Sequence, residues 1–400
     1  MNILFFTHGK ACATEGGTER TTITVASSLT NLYGCKCYSL YESSLEFPKE
    51  DCFVEDFFWC FATDRDAAVS DLRDIIQKYK IDIIVNQGSF QHTRFIRKAI
   101  EGLSCYIVFA HHFEPSSEKV YFTWNHFKKQ PLPRTIKGAV YYIYQLSLFP
   151  WLKKKRIKQL SAWYKESYEC ADQVVLLSRC FILPFCEFGH INNSSKFEII
   201  PNGLSFTEYL SQSELLNKKK VVLIVARLDD KYKNISLALK VWKRVKKDSI
   251  SKAWTLKIVG HGPDKNYFES IIKNENIPDV VLEGRQNPIP YYKDASIFLM
   301  TSNSESWGLT ITEAMQFGVV PIALNTYASL PEIITNLYDG IIVQPNDLEA
   351  FESCILHLMS EADKRISMAK NAIDSSKRFS QEKIAGKWYD LFLNLLITKK

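Results

Sequence analysis

Residues 302–325 read SNSESWGLTITEAMQFGVVPIALN. Glu305 and Glu313 stand with seven residues between them. The run GLTITEAMQFG is helix-like, with Leu309, Thr312, Ala314, Met315 and Phe317 available for packing. VVPIAL then reads as a short strand, and SIFLMTS just upstream reads as another. A continuous apolar run, unlike an alternating one, belongs to a strand buried on both faces, the condition of a parallel sheet covered by helices. Outward from this unit the same pattern repeats. KVVLIVARL, LKIVG, VVLEG and GIIVQP share the second half with it, and NILFFTH, IDIIVNQ, CYIVFAHH and QVVLLS fill the first. Helical periods such as ISLALKVWKRVKK lie between them. Two such sets predict an α/β protein of two Rossmann-like domains facing across a cleft.

Four hundred residues exceed what one core usually holds, in keeping with two domains. The polar stretch IPNGLSFTEYLSQSELLNKKK separates the sets. The expected division is residues 1–203, 204–375, and a C-terminal helix within 376–400 too apolar to stand alone, packing back on the first domain. A content of 46% hydrophobic and 24% charged residues is globular. The ten cysteines include no C-x-x-C pair and several lie in apolar runs, which reads as reduced thiols in the cytoplasm. The start MNILFFTHGK lacks the basic and long apolar stretches of a signal peptide, and no run of eighteen apolar residues is present.

The net charge of +6 is uneven. Residues 119–165 hold eleven Lys or Arg, no Asp or Glu, and eleven aromatics including Trp124, Tyr141, Trp151 and Trp163, so the remaining chain carries about −5. Within it, Trp151, Lys153, Lys154, Lys155 and Arg156 are candidates for contact with an anionic bilayer, aromatics at headgroup level and basic groups on lipid phosphate. A solvated basic helix with aromatics in the core would have the same composition. A nucleic-acid face would too, but no RNA or DNA module pattern accompanies it.

Ligands of open parallel sheets bind beyond the carboxyl ends of the strands. After NILFFTH, Gly16 and Gly17 precede a helix, giving either a tight turn or backbone amides open to an anion. After KVVLIVA comes Arg227, then LDDKYKN with Lys231 and Lys233. These cations either grip a diphosphate or are neutralised in a solvated loop by Asp229 and Asp230. Glu305 and Glu313 each suit a helix start. Together, in a cleft that also receives Arg and Lys, they suggest a phosphate-bearing ligand with hydroxyl groups, the composition of a nucleotide sugar.

With Arg227, Lys233, GGTER, EIIPNG and SESWGLTITEAMQFGVVPIA in place, the chain resembles the retaining glycosyltransferases of family 4, which have the two-domain GT-B fold. The resemblance covers nearly the whole chain and is strongest over 198–390. It implies that Glu305 binds donor-sugar hydroxyls near the reacting carbon and that Glu313 holds the ribose. Arg227 and Lys233 would hold the diphosphate and stabilise it as it leaves. Gly308, Leu309 and Thr310 would assist through backbone amides, the turn from Arg285 to Ile289 would contact the base, and Gly16 and Gly17 would approach the phosphate from the first domain. His111 of VFAHHFEPSS, in preference to His112, would stand near sugar and acceptor. The family sets one lysine five residues after the arginine, whereas Lys231 and Lys233 lie at plus four and plus six. Lys233 is preferred because Asn234 follows it.

The function implied is transfer of a hexosyl unit from a nucleoside diphosphate sugar, UDP- or GDP-linked, to a hydroxyl of a glycan or lipid-linked acceptor in surface polysaccharide synthesis, with retention. The protein would sit in the cytoplasm, peripheral on the inner face of the membrane. No D-x-D pair is placed to hold Mg²⁺, so a metal-independent enzyme without cofactor is expected, and no nucleic acid. The alternatives are a nucleotide-sugar 2-epimerase on the same fold and a non-catalytic membrane or nucleic-acid binding protein using 119–165. A nicotinamide enzyme would need G-x-G-x-x-G after the first strand, and THGKACATEGG does not fit.

Overall fold

A computed structural model describes residues 1–12, 16–43, 47–61, 64–117, 135–345 and 347–398. Lys119 and Trp124 of the basic segment lie outside them. The chain divides into two units, Met1–Ile200 with Lys387–Lys400, and Pro201–Gly386. The first break thus falls after Ile200, against 203 expected, and the return after Gly386, against 375.

Unit 1 is built on seven strands: β1 (Asn2–Thr7), β2 (Lys36–Tyr41), β3 (Phe53–Phe58), β4 (Ile83–Asn86), β5 (Tyr106–His111), β6 (Gln173–Leu176) and β7 (Phe197–Ile199). They pair in parallel in the order β3-β2-β1-β4-β5-β6-β7. The order reverses direction between β1 and β4, which is the switch point where such sheets take ligands. Ile3, Leu4, Phe5 and Phe6 are all buried, as a strand covered on both faces requires. Three strands were not expected from the apolar pattern. Two, β3 and β7, are the edge strands, where exposed faces admit charge (Glu55, Glu198). The third, β2, is buried, but Ser39 and Tyr38 interrupt its apolar run.

The helix Ile136–Cys170 turns Phe149, Leu160, Tyr164 and Tyr168 into the unit 1 core. Its carboxyl end is closed by Lys196, whose Nζ donates to the carbonyls of Tyr168 (3.0 Å), Glu169 (3.1 Å) and Ala171 (2.7 Å). A cation there also complements the helix dipole. Among the described residues no helix is long and apolar enough to cross a membrane.

Unit 2 has six parallel strands: β8 (Val221–Val225), β9 (Thr255–Val259), β10 (Val280–Gly284), β11 (Ile297–Met300), β12 (Val320–Leu324) and β13 (Ile341–Val343), in the order β10-β9-β8-β11-β12-β13. Every one was legible as an apolar run. Here the switch point lies between β8 and β11. The helix Ile235–Val245 buries Ile235, Ala238, Leu239, Trp242 and Val245, the i, i+3, i+4, i+7, i+10 stripe of a sheet-covering helix. The helix Gln381–Ile397 passes through the division at Gly386. Within unit 2, Gln381 Nε2 donates to the Leu204 carbonyl at 3.1 Å. Within unit 1, Tyr389 stacks on Tyr33, with centroids 4.1 Å apart.

Candidate active site

The loops after β8 and β11 flank the unit 2 switch point and are stitched together. Beyond β8 the chain runs through Arg227 into the short helix Asp230–Lys233 and turns at Asn234, whose φ of 49° is left-handed. The Asp230 carboxylate accepts from Ser236 N (2.8 Å) and Ser236 Oγ (2.7 Å), and so satisfies the start of the helix Ile235–Val245. From the β11 side, Thr301 Oγ1 donates to the Lys233 carbonyl (3.1 Å), Asn303 N to that of Tyr232 (2.8 Å), and Asn303 Nδ2 to that of Lys231 (3.1 Å).

These bonds fix the backbone of Lys233 against the loop that carries Glu305. Lys233 Nζ pairs with Glu305 Oε1, and Ser302 Oγ donates to the same oxygen at 2.8 Å. Both charges are largely enclosed, with side-chain exposures of 26% and 13%. Of the two lysines left open by the sequence, Lys233 is the one that reaches Glu305. Lys231 Nζ lies 5.0 Å from the Tyr232 ring. Arg227 is 70% exposed, and the carboxylate of Asp229 is 4.0 Å away. The site therefore offers an exposed guanidinium beside an internally paired ammonium.

Trp307 is buried edge-on to Phe379, centroids 5.3 Å apart. Thr326 Oγ1 and Ser329 Oγ donate to the carbonyls of Ser302 (2.6 Å) and Ser306 (2.8 Å), and so hold the loop from behind. Gly308 then turns into the helix Leu309–Gln316 with φ 79°. A Cβ there would lie 2.8 Å from the Tyr327 hydroxyl, so both conformation and space demand glycine. No side chain caps this helix, which leaves the amides of Leu309 and Thr310 to the site. The buried Tyr327 hydroxyl is held well above its ordinary range by desolvation and then by the Glu305 charge.

Glu313 was expected to hold a ribose. It is fully buried, and its two oxygens accept from Ser205 Oγ (2.5 Å) and the Tyr292 hydroxyl (2.9 Å). Tyr292 comes from the helix Ile289–Asp294, which begins where Ile289 N donates to Asn287 Oδ1 (3.2 Å) after the exposed Arg285. The turn expected to contact a base is thus tied to Glu313 through Tyr292.

Two further residues, Gly260 and Gly262, were not singled out from the sequence. A Cβ at Gly260 would stand 1.8 Å from the Ala226 carbonyl oxygen, and one at Gly262 2.4 Å from that of Leu228. The loop after β9 therefore lies backbone to backbone on the Arg227 turn, with Leu228 N donating to the His261 carbonyl at 3.0 Å. The signal was the string GHG directly after LKIV.

In unit 1, Gly16 and Gly17 are exposed at the start of the helix Gly17–Tyr33. The Glu19 carboxylate lies over Gly16, 1.8 Å from where a Cβ would be, so this helix start already faces an acid. His111, expected near sugar and acceptor, is 1% exposed and enclosed by the rings of Phe90, Phe109, Tyr164 and Phe185. Its Nε2 is 3.3 Å from the Tyr164 hydroxyl. Burial, and then the neighbouring His112, lower its pKa to about 3, so the imidazole is a neutral part of the core. His112 is also buried and bonds Gln87. Lys154, Lys155, Arg156 and Trp151 are exposed on the helix Ile136–Cys170 and Lys153 is half-buried.

Residues 205–375 match the family model for glycosyl transferases group 1. Unit 2 is therefore a group 1 glycosyltransferase domain, an enzyme domain, joined to a second parallel α/β unit. Among curated proteins, the chain is 28% identical over 173 residues to an uncharacterized glycosyltransferase of Haemophilus influenzae, 43% of this chain and 48% of that one. It is 28% identical to the amylovoran biosynthesis glycosyltransferase AmsD of Erwinia amylovora (44% and 48%). It is 31% identical to an uncharacterized 41.2 kDa protein in the cps region of Klebsiella pneumoniae (51% and 60%). The chain spans about half the length of these relatives. Among solved structures, Anabaena Alr3699/HepE in complex with UDP aligns over 98% of this chain and 100% of its own, with TM-score 0.71 and 16% identity. The lipopolysaccharide outer core galactosyltransferase WaaB aligns over 100% of both at TM-score 0.65, also at 16% identity. The fold is GT-B.

Proposed function

We propose that this protein transfers a hexosyl unit from a nucleoside diphosphate sugar to a hydroxyl of a glycan or lipid-linked acceptor, in the synthesis of a surface polysaccharide. The observation that carries the reading is the Lys233–Glu305 pair at the unit 2 switch point, beside the exposed Arg227 and an uncapped helix start. Arg227, Lys233 and the amides of Leu309 and Thr310 are the positive groups a diphosphate needs, most of all as negative charge grows on the leaving group. They balance that charge without a metal ion. Glu305, an acceptor only, suits sugar hydroxyls. Glu313, reached through Ser205, and the Arg285–Ile289 turn shape the nucleoside end. Solved structures on this fold carry UDP and UDP-glucose, and relatives serve amylovoran biosynthesis or lie in a cps region, which favours a UDP-sugar and an exported glycan. Family 4 membership and retention of the anomeric configuration belong to the same proposal.

We also propose that unit 1 lies on an anionic membrane. At 100° per residue, Ile136, Val140, Ile143, Tyr144 and Trp151 share one exposed stripe of their helix, and Lys154 and Lys158 continue it. Apolar groups beside a basic run suit the boundary of headgroups and acyl chains.

The experiment is a thermal-shift screen against UDP-, GDP-, ADP-, CMP- and dTDP-sugars, with NAD as control and with EDTA present. A ligand at a hundred times its dissociation constant adds about 2.7 kcal/mol. One nucleotide-sugar group should raise the melting temperature, and NMR of the product should show the donor's anomeric configuration. A shift with NAD alone would overturn the reading.

A further inference from the structure

Asp264 stands at the N-cap of the helix Lys265–Asn274, yet its side chain makes no capping bond there. Aspartate is favoured at such a position because its carboxylate takes an amide of the first turn. Here Oδ2 instead accepts from Asp230 N at 2.7 Å, 34 residues back in the chain. The amide it reaches opens the helix Asp230–Lys233, whose own N-cap, Asp229, makes no side-chain capping bond either. One helix thus lends its cap to another.

The backbone around Asp264 makes this reach possible. Leu228 N donates to the His261 carbonyl, and Asp264 N donates back to the Leu228 carbonyl, both at 3.0 Å. Gly262 lies between these two bonds, where a Cβ would stand 2.4 Å from the Leu228 carbonyl oxygen. Pro263 follows it, with φ fixed by its ring and no amide to satisfy. Leu228 is therefore clamped from both sides, and the Asp264 carboxylate falls on the amide two residues further along.

A single helical turn is unstable alone, because its few bonds do not offset the backbone entropy it costs. Asp230–Lys233 has four residues and depends on what holds its two ends. The last is tied to the β11 loop, where Thr301 Oγ1 donates to the Lys233 carbonyl. The first is held by Asp264, through a bond strengthened by the acceptor's charge. The Asp230 carboxylate is engaged downstream, on Ser236. Released at its first amide, the turn can rotate about its tied end. The Lys233 Cα–Cβ bond then rotates with it, and the ammonium leaves Glu305.

We propose that Asp264 is a positioning residue for transfer: by capping a helix other than its own, it sets the direction in which Lys233 meets the diphosphate of the donor. This rests on the glycosyltransferase reading.

Two variants separate this role from ordinary helix capping. Serine and asparagine both cap helices well, so the start of Lys265–Asn274 stays supported in Asp264→Ser and in Asp264→Asn. Asparagine has the reach of aspartate, and serine is one bond shorter. The first measurement is hydrogen exchange of the full chain without ligand. In Asp264→Ser, residues 230–234 should exchange roughly tenfold faster, and residues 265–274 as in the wild type. Asp264→Asn should match the wild type in both. Protection at 230–234 that is unchanged, or lost no more than at 265–274, overturns the proposal whether or not a nucleotide sugar binds. The second measurement is hydrolysis of the nucleotide sugar selected by the screen, with water as the acceptor. In Asp264→Ser, kcat should fall by roughly ten- to a hundredfold and KM should change less. Asp264→Asn should stay within about threefold of the wild type. Wild-type turnover in Asp264→Ser, an equal loss in Asp264→Asn, or a loss that falls wholly on KM overturns it. If the wild type turns over no nucleotide sugar, the glycosyltransferase reading is what fails, and exchange still decides whether Asp264 holds the turn.

Discussion

Ser205 donates its hydroxyl to the fully buried carboxylate of Glu313 at 2.5 Å. Tyr292 satisfies the other oxygen at 2.9 Å. A buried carboxylate is tolerated only while its oxygens have partners. These two hydroxyls therefore lock the helix Leu309–Gln316 to the segment after residue 204 and to the helix Ile289–Asp294. Removing one by Tyr292→Phe should cost about 1–3 kcal/mol in urea unfolding. Ser205→Ala should cost less, because Ser205 is partly exposed and water can replace it. Equal, negligible effects would show that the hydroxyls do not carry the carboxylate.

Lys233 and Glu305 form the charged centre proposed for the donor. Lys233→Ala and Glu305→Ala should each reduce transfer by at least about a hundredfold, the scale of removing a group aimed at transition-state charge. Their far-UV circular dichroism should match the wild type. Normal turnover in either would move the reaction elsewhere.

Gly260→Ala puts a methyl group 1.8 Å from the Ala226 carbonyl oxygen, at a φ of 148°. Backbone cannot yield as a flexible side chain does. The variant should lose about 2 kcal/mol or more in denaturant melts. It should also weaken nucleotide binding by displacing the Arg227 turn. Wild-type stability would mean that the two loops can part freely.

His111 and His112, with pKa values lowered to about 3 and about 4, should make the protein sensitive to acid. A folded pKa below the unfolded value of 6.5 means that the unfolded chain binds more protons between that value and the folded one. Their contribution is complete above pH 6.5 and is lost as pH falls, by roughly 2 kcal/mol per histidine by pH 5. His111→Phe, in a shell of aromatic rings, should flatten this dependence in urea melts at pH 7, 6 and 5. An unchanged slope would assign the acid sensitivity to other groups.

The exposed helix stripe sets the membrane prediction. Changing Lys154, Lys155 and Lys158 to Gln should weaken co-sedimentation with anionic vesicles by roughly a hundredfold, at about 1 kcal/mol per charge. Trp151→Ser should weaken binding to neutral vesicles as well. Unchanged sedimentation would make this stripe a solvated face.

The six strands of unit 2 were legible because each carries a short run rich in Val, Ile or Leu; β11 and β12 are buried along their whole length, whereas β9 carries Lys257 and the edge strand β10 carries Glu283 and leaves Val281 exposed. In unit 1 the same rule found β1, β4, β5 and β6 and passed over β2, β3 and β7, where an edge position or an internal polar residue breaks the run. Arg227, Lys233, Glu305 and Gly308 were legible as residues following strands, since the chain order of a parallel sheet places them at one end. Gly260 and Gly262 were overlooked, although their spacing was there to see.

The sequence by itself determined the two parallel α/β units and the end of each sheet at which chemistry gathers, because strand burial and chain direction are local properties. Tertiary structure alone decided which side chains meet. It put Lys233 on Glu305 instead of Lys231, gave Glu313 to Ser205 and Tyr292, sealed His111 among aromatic rings and set His8 on Glu42. Those pairings join residues far apart in the chain, and no local period encodes which of two neighbouring side chains faces the loop across the sheet.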